Sequence, residues 1–320
     1  MDYGEIIRRA WNITKKYKYL WIFGFILALF GGRGGYNGSN VNNSFQYTFR
    51  RREIALPTVF QQFLFKLQSF LINNISLIIL FAIFMIILAI TVFILYIIAD
   101  GGLIGSVKNI DDGEENSLKK GFKIGSHYFW RMLGKNLLIA LIVILIVLFL
   151  IFSFLAIYFL TPISQNKPFS LYNIGIILVF IILFFILMIP FMIFLRILND
   201  YSSRFIVIKN NRIIESIKNS FKLIISNVKH TIIIALILFA IGIIVGIILF
   251  IIFLIIAIPA ALLIFSIYRI GSIAFSLVLA ALALLFLIIL SAFLNGIRKT
   301  FSSSTWTLTF LQLTKPKTSE

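Results

Sequence analysis

Cysteine is absent from the chain, which excludes disulfides, thiol catalysis and cysteine-based metal sites. Acidic residues are scarce, 11 against 29 Lys and Arg. Four of them crowd into DDGEEN (111–116), whose spacing does not fit an EF-hand loop. That stretch reads as a solvated turn and helix start. Histidine occurs twice, at His127 and His230, and neither lies in an HExxH arrangement. No GxSxG elbow or phosphate-binding glycine loop is found, so hydrolase and nucleotide-binding motifs are missing. These absences lead us to expect no enzyme, no cofactor and no metal.

What the chain has in excess is apolar surface. It is 61% hydrophobic with a mean hydropathy of +1.06, against ~45–50% apolar residues in soluble domains. Several runs exceed the ~18–20 residues that cross a bilayer. The ~10-residue alternating segments of a transmembrane barrel are absent. The fold class expected is an all-α polytopic membrane protein with six spans, near 18–32, 75–99, 136–160, 172–198, 231–257 and 271–295. The span interiors hold no Asp, Glu, Lys or His, the groups that coupled transporters bury. The first span follows a long basic region and lacks an A-x-A cleavage site, so it reads as uncleaved.

The net charge of +18 would suggest nucleic acid in a soluble protein. Here the cations flank spans, and no nucleic-acid partner is expected. One side of the six-span scheme carries 22 Lys and Arg and the other seven. Basic loops stay inside. Both termini are therefore expected in the cytoplasm, in a multi-pass protein of a bacterial cytoplasmic membrane. Arg50, Arg51 and Arg52 sit on the minority side, in a long loop where charge counts less.

SLKKGFKI (117–124) and SIKNSFKL (216–223) lie 99 residues apart, each ahead of an apolar run. Downstream, LLIALIV (137–143) matches IIIALIL (232–238), and Pro162 matches Pro259. Asp100 matches Asp200, and Lys108-Asn109 matches Lys209-Asn210. IIRRAWNI (6–13) is a weaker third copy. The order of parts implies a single membrane domain of three parallel repeat units, about 1–112, 113–212 and 213–320. Each unit is a basic amphipathic elbow helix followed by a helical hairpin, unlike the inverted repeats of many transporters.

In each elbow the apolar residues share one face. Leu118, Phe122, Phe129 and Met132 do so in one copy, and Ile217, Phe221, Ile224, Ile225 and Val228 in the other. Ser117 and Ser216 suit N-cap positions. Arg8, Arg9, Lys119, Lys120, Lys123, Lys218, Lys222 and Lys229 are the candidate contacts to anionic lipid headgroups. Asp100, Arg196 and Asp200 form a candidate polar cluster, with Arg196 and Asp200 at i, i+4 spacing. Gly242-x-x-x-Gly246 reads as close helix packing, and Pro190 and Pro259 as kinks. VFQQFLFKLQSFL (59–71) is a further amphipathic stretch, after a glycine- and asparagine-rich tether at 31–43.

WNITKKYKYLWIFGF (11–25), DGGLIGSVKNIDDGE (100–114), SLKKGFKIGSHYFWRML (117–133) and SSSTWTLTF (302–310) resemble bacterial polytopic proteins similar to the membrane domain of some glycerophosphodiester phosphodiesterases. The resemblance covers nearly the whole chain. In those fusions hydrolysis belongs to a separate soluble barrel, for which 320 residues leave no room. The resemblance implies a membrane domain without the enzyme and carries over no catalytic residue. The function expected is a non-enzymatic, lipid-interacting scaffold or accessory subunit of the envelope. A transporter of an amphiphilic or lipid-like substrate is the second reading, and an intramembrane enzyme the third.

Overall fold

A computed structural model describes residues 1–30, 74–160, 171–269 and 273–315. The tether at 31–43, Arg50–Arg52, the 59–71 stretch, Pro162 and Lys167 lie outside them. Every element among the described residues is helical: α1 (Tyr3–Lys16), α2 (Leu20–Phe30), α3 (Ile75–Asp111), α4 (Leu118–His127), α5 (Phe129–Leu160), α6 (Leu171–Lys209), α7 (Ile213–Ser226), α8 (Val228–Arg269) and α9 (Ile273–Leu313). Residues 35–96 and the remainder of the chain are two separate units. The contacts described below all lie in the larger one.

Five of these helices, α3, α5, α6, α8 and α9, are long and apolar enough to cross a membrane. In the most apolar stretches of α3 and α8 no residue is buried. Rows of Leu, Ile and Phe there are more than half exposed, a surface that lipid covers and water does not. The protein is therefore an all-α, multi-pass membrane protein. The first of the six expected spans is different. Its described part is the 11-residue α2, which at 1.5 Å per residue covers about 16 Å of a ~30 Å core.

The helices overrun the expected spans at one end. α3, α6 and α9 continue to Asp111, Lys209 and Leu313, where hydropathy placed exits near 99, 198 and 295. Hydropathy falls at these exits, yet no proline follows to stop the helix. These overruns carry much of the core. Ile97–Val107, Leu195–Val207 and Thr300–Phe310 contain most of its buried residues. Leu195, Leu198, Tyr201, Ile224, Ile234, Trp306 and Phe310 form one apolar cluster across α6, α7, α8 and α9.

Two helix ends show local chemistry that the matched Lys-Asn pairs do not share. α6 stops at Asn210, whose φ of 57° is left-handed and suits a C-terminal cap. Arg131 of α5 clamps that turn, donating to the Asn210 carbonyl at 3.1 Å and its side-chain oxygen at 2.5 Å. α3 instead runs past Asn109, and its left-handed residue is Gly113, with φ of 80°.

The short basic helices α1, α4 and α7 bury small or compact residues against the overruns: Ala10, Gly121, Gly125, Ser216 and Ser220. Ser117 caps α4, accepting from the Lys120 amide at 3.3 Å. Ser216 is not the cap of α7. That helix starts earlier, at Ile213, and buried Ser216 donates to the Ile213 carbonyl at 2.6 Å. The elbow that carries Leu118 and Phe122 is interrupted at Tyr128, so Phe129 and Met132, expected on its apolar face, belong to α5, and Met132 is fully buried.

The Gly242/Gly246 pair makes no tight backbone crossing: a Cβ on Gly242 would meet only the Arg298 side chain, at 3.6 Å. A Cβ on Gly246 would meet nothing within 4 Å. Close approach occurs elsewhere: a Cβ on Gly24 would stand 2.1 Å from the Gly296 carbonyl oxygen, and one on Gly125 2.0 Å from that of Ile98.

Arg9 of α1 pairs with Asp111 at the end of α3, and with Glu5 at 3.9 Å. Arg9 is over a third exposed, so Arg9→Gln is expected to cost under about 1 kcal/mol, an effect that shrinks in high salt. Thermal unfolding in low salt and in ~1 M salt checks this.

Candidate functional site

The overrun of α6 carries Asn199, Asp200, Tyr201, Ser202, Ser203 and Arg204 in one unbroken stretch. Successive residues on a helix point about 100° apart, so four of them in a row reach four different neighbours. The Tyr201 hydroxyl meets Thr231 Oγ1 of α8 at 3.4 Å. Ser202 donates to Ser220 of α7 at 3.2 Å. Ser203 accepts from Lys135 Nζ of α5 at 2.6 Å. Arg204 donates to the Ser303 carbonyl of α9 at 3.1 Å. Tyr201 also packs edge-on against Trp306, ring centres 5.4 Å apart. α6 is thus the hub that ties α5, α7, α8 and α9.

Two of these groups are buried cations. Lys135 is 0% exposed and Arg204 2%. Lys135 Nζ also donates to the Asn199 carbonyl at 3.3 Å, and Arg204 donates to the Asp200 carbonyl one turn back. Asp100 and Asp200 act electrostatically on both. Two carboxylates acting on two cations balance in charge, which helps buried ions to be tolerated, although no ion pair within 4 Å joins them among the described residues. Ser106 Oγ, Asn199 Oδ1, Arg204 Nε and Ser304 Oγ are buried without a protein partner.

Asp100 and Asp200, predicted as a cluster, both act electrostatically on Lys135 and Arg204, which the sequence reading counted only as loop cations. Arg196, the third predicted member, acts on Arg298 of α9. The signal for Arg204 was its i, i+4 spacing from Asp200. Lys135 gave no signal beyond standing at the edge of an apolar run. No group of three or more His, Asp or Glu suited to a metal is found among the described residues.

Of the predicted headgroup contacts, Arg8, Lys119, Lys120, Lys123, Lys218, Lys222 and Lys229 are exposed. Lys120 Nζ donates to the Glu115 carbonyl at 2.9 Å, and Arg9 is engaged by Asp111. His230 Nδ1 lies 2.6 Å from the Tyr3 hydroxyl, which joins α8 to α1.

Two apolar grooves border α9. One, of about 450 Å³, lies against α2 and ends at Lys18 and Trp21. The other, of about 430 Å³, lies against α8 and ends at Trp11 and Arg298.

The chain matches the model of a family of unknown function, DUF7544, over residues 19–319, and it belongs to that family. No curated protein and no solved structure matches it.

Proposed function

We propose that this family member is a non-enzymatic scaffold or accessory subunit of a bacterial cytoplasmic membrane that holds anionic lipid at its cytoplasmic face. The observation that carries the reading is the outward placement of the lysines on α4 and α7. Beside them stand exposed Phe221 and Ile225, a basic and apolar edge suited to a headgroup layer. The buried cations support it from the other side. Lys135 and Arg204 are spent on tying helices together, whereas the elbow lysines are exposed.

The three-unit arrangement belongs to the same proposal. Ala10, Gly121 and Ser220 hold the same place in the three basic phrases, and all three are buried. A small residue there lets each elbow press against its overrun. The likeness to a phosphodiesterase membrane domain without its hydrolase is compatible with this reading, as is the placing of both termini inside.

The experiment is lipid analysis of the chain purified from mixed phosphatidylglycerol and phosphatidylcholine. Changing Lys119, Lys120, Lys123, Lys218, Lys222 and Lys229 to Gln is expected to lower phosphatidylglycerol enrichment severalfold. Each lysine near an anionic surface contributes about 1 kcal/mol. Unchanged enrichment sinks the proposal. The second reading, a transporter of an amphiphile, is favoured by the two apolar grooves beside α9. Protein-dependent movement of a labelled lipid across reconstituted vesicles would replace the scaffold with it.

A further inference from the structure

The groove between α8 and α9 combines three features. Its walls are aliphatic, with Val245, Ile248 and Ile252 on α8 and Leu294 on α9. Its volume of about 430 Å³ lies in the range of small-molecule sites. At its end stands Arg298, and no carboxylate pairs with Arg298 among the described residues. The charge that acts on this guanidinium is a like one, Arg196.

A guanidinium at the head of an apolar groove, with no carboxylate beside it among the described residues, is open to an anion. A guanidinium presents a planar fork of donors that fits phosphate. Trp11 lines the same end, is half exposed, and is braced edge-on by Phe301 at 6.0 Å. An indole at that level suits the boundary between acyl chain and headgroup. Gly242 borders the cation: a Cβ there would lie 3.6 Å from Arg298 Nη1.

We infer that this groove is a specific site for one anionic phospholipid, with an acyl chain between α8 and α9 and the phosphate on Arg298. The site deepens the lipid-holding function proposed above and rests on it. It differs from the elbow lysines in kind. Those attract a layer, whereas the groove seats one molecule.

The test is native mass spectrometry of the full chain in detergent with equal phosphatidylglycerol and phosphatidylcholine. The unaltered protein is expected to keep a phosphatidylglycerol at collision energies that strip the others. Ile248→Trp fills the groove. Ile248 is half exposed, so the indole enters open space and the core is spared. This variant is expected to retain one lipid fewer. Arg298→Gln leaves the groove open and removes the charge. It is expected to lower the preference for phosphatidylglycerol about tenfold, the scale of a lost charge-assisted hydrogen bond, and Arg298→Lys to restore part of it.

The same number of retained lipids in Ile248→Trp, or an unchanged preference in Arg298→Gln, overturns the site. The elbow-lysine variant separates the two ideas. If it alone loses the retained lipid, the surface reading stands and the groove is refuted. If it loses bulk enrichment but keeps the one tight lipid, the groove is supported.

Discussion

Lys135→Met is expected to lower the unfolding free energy by about 3–5 kcal/mol, the cost of removing one partner from a buried charge cluster. The lysine is 0% exposed, and methionine fills much of the same space. Packing therefore changes little. What is lost is the charge that offsets Asp100 and Asp200, together with the donor to Ser203 and the Asn199 carbonyl. Adding Asp100→Asn removes one of the carboxylates left uncompensated. The double variant is expected to recover at least ~1 kcal/mol over the sum of the singles, a coupling typical of groups in one network. Denaturant unfolding in detergent measures all of these. Simple additivity would show that Asp100 does not serve Lys135.

Gly125→Ala is expected to be nearly as damaging, at about 3 kcal/mol. The added methyl would stand 2.0 Å from the Ile98 carbonyl oxygen and 2.8 Å from its carbon. Both atoms are backbone, so no side chain can turn aside, and α3 and α4 must part. Gly246→Ala is the control. It meets nothing within 4 Å, and alanine is the better helix former by up to ~1 kcal/mol. That change is expected to be neutral or stabilising. The melting temperature should fall in Gly125→Ala and hold or rise in Gly246→Ala. A Gly125 variant that melts like the parent would mean the crossing is looser than its geometry.

The contrast between these glycines shows where the sequence was legible. Long apolar runs announced the spanning helices, because burying backbone in lipid leaves helix as the economical solution. The exposure of Lys119 and Lys218 followed from amphipathic spacing. The overruns did not follow. Hydropathy reads a polar exit after Ala99 or Leu198 as a loop, but Asp100 and Asp200 only turn the same helix from lipid to protein. Once that is missed, the core is missed, since Tyr201, Trp306 and Phe310 lie beyond the exits. GxxxG spacing was equally ambiguous. Gly242 and Gly246 have the motif, whereas the glycines that touch backbone, Gly24 with Gly296 and Gly125 with Ile98, are partnered across 27 to more than 250 residues of chain, which no local pattern can reveal. Lys135 was illegible for the same reason, because its partners come from other helices.

The Thr300 hydroxyl donates to the Leu20 carbonyl, a bond between residues 280 positions apart, and α1 and α2 both pack on α9. During synthesis the first thirty residues must therefore wait. At ~5–20 residues per second, α2 leaves the ribosome tens of seconds ahead of the helix that completes its packing. Over that interval a short apolar segment stands in the bilayer without its neighbour, open to insertion factors and to degradation. Losing the overrun of α9 would make that exposed beginning permanent.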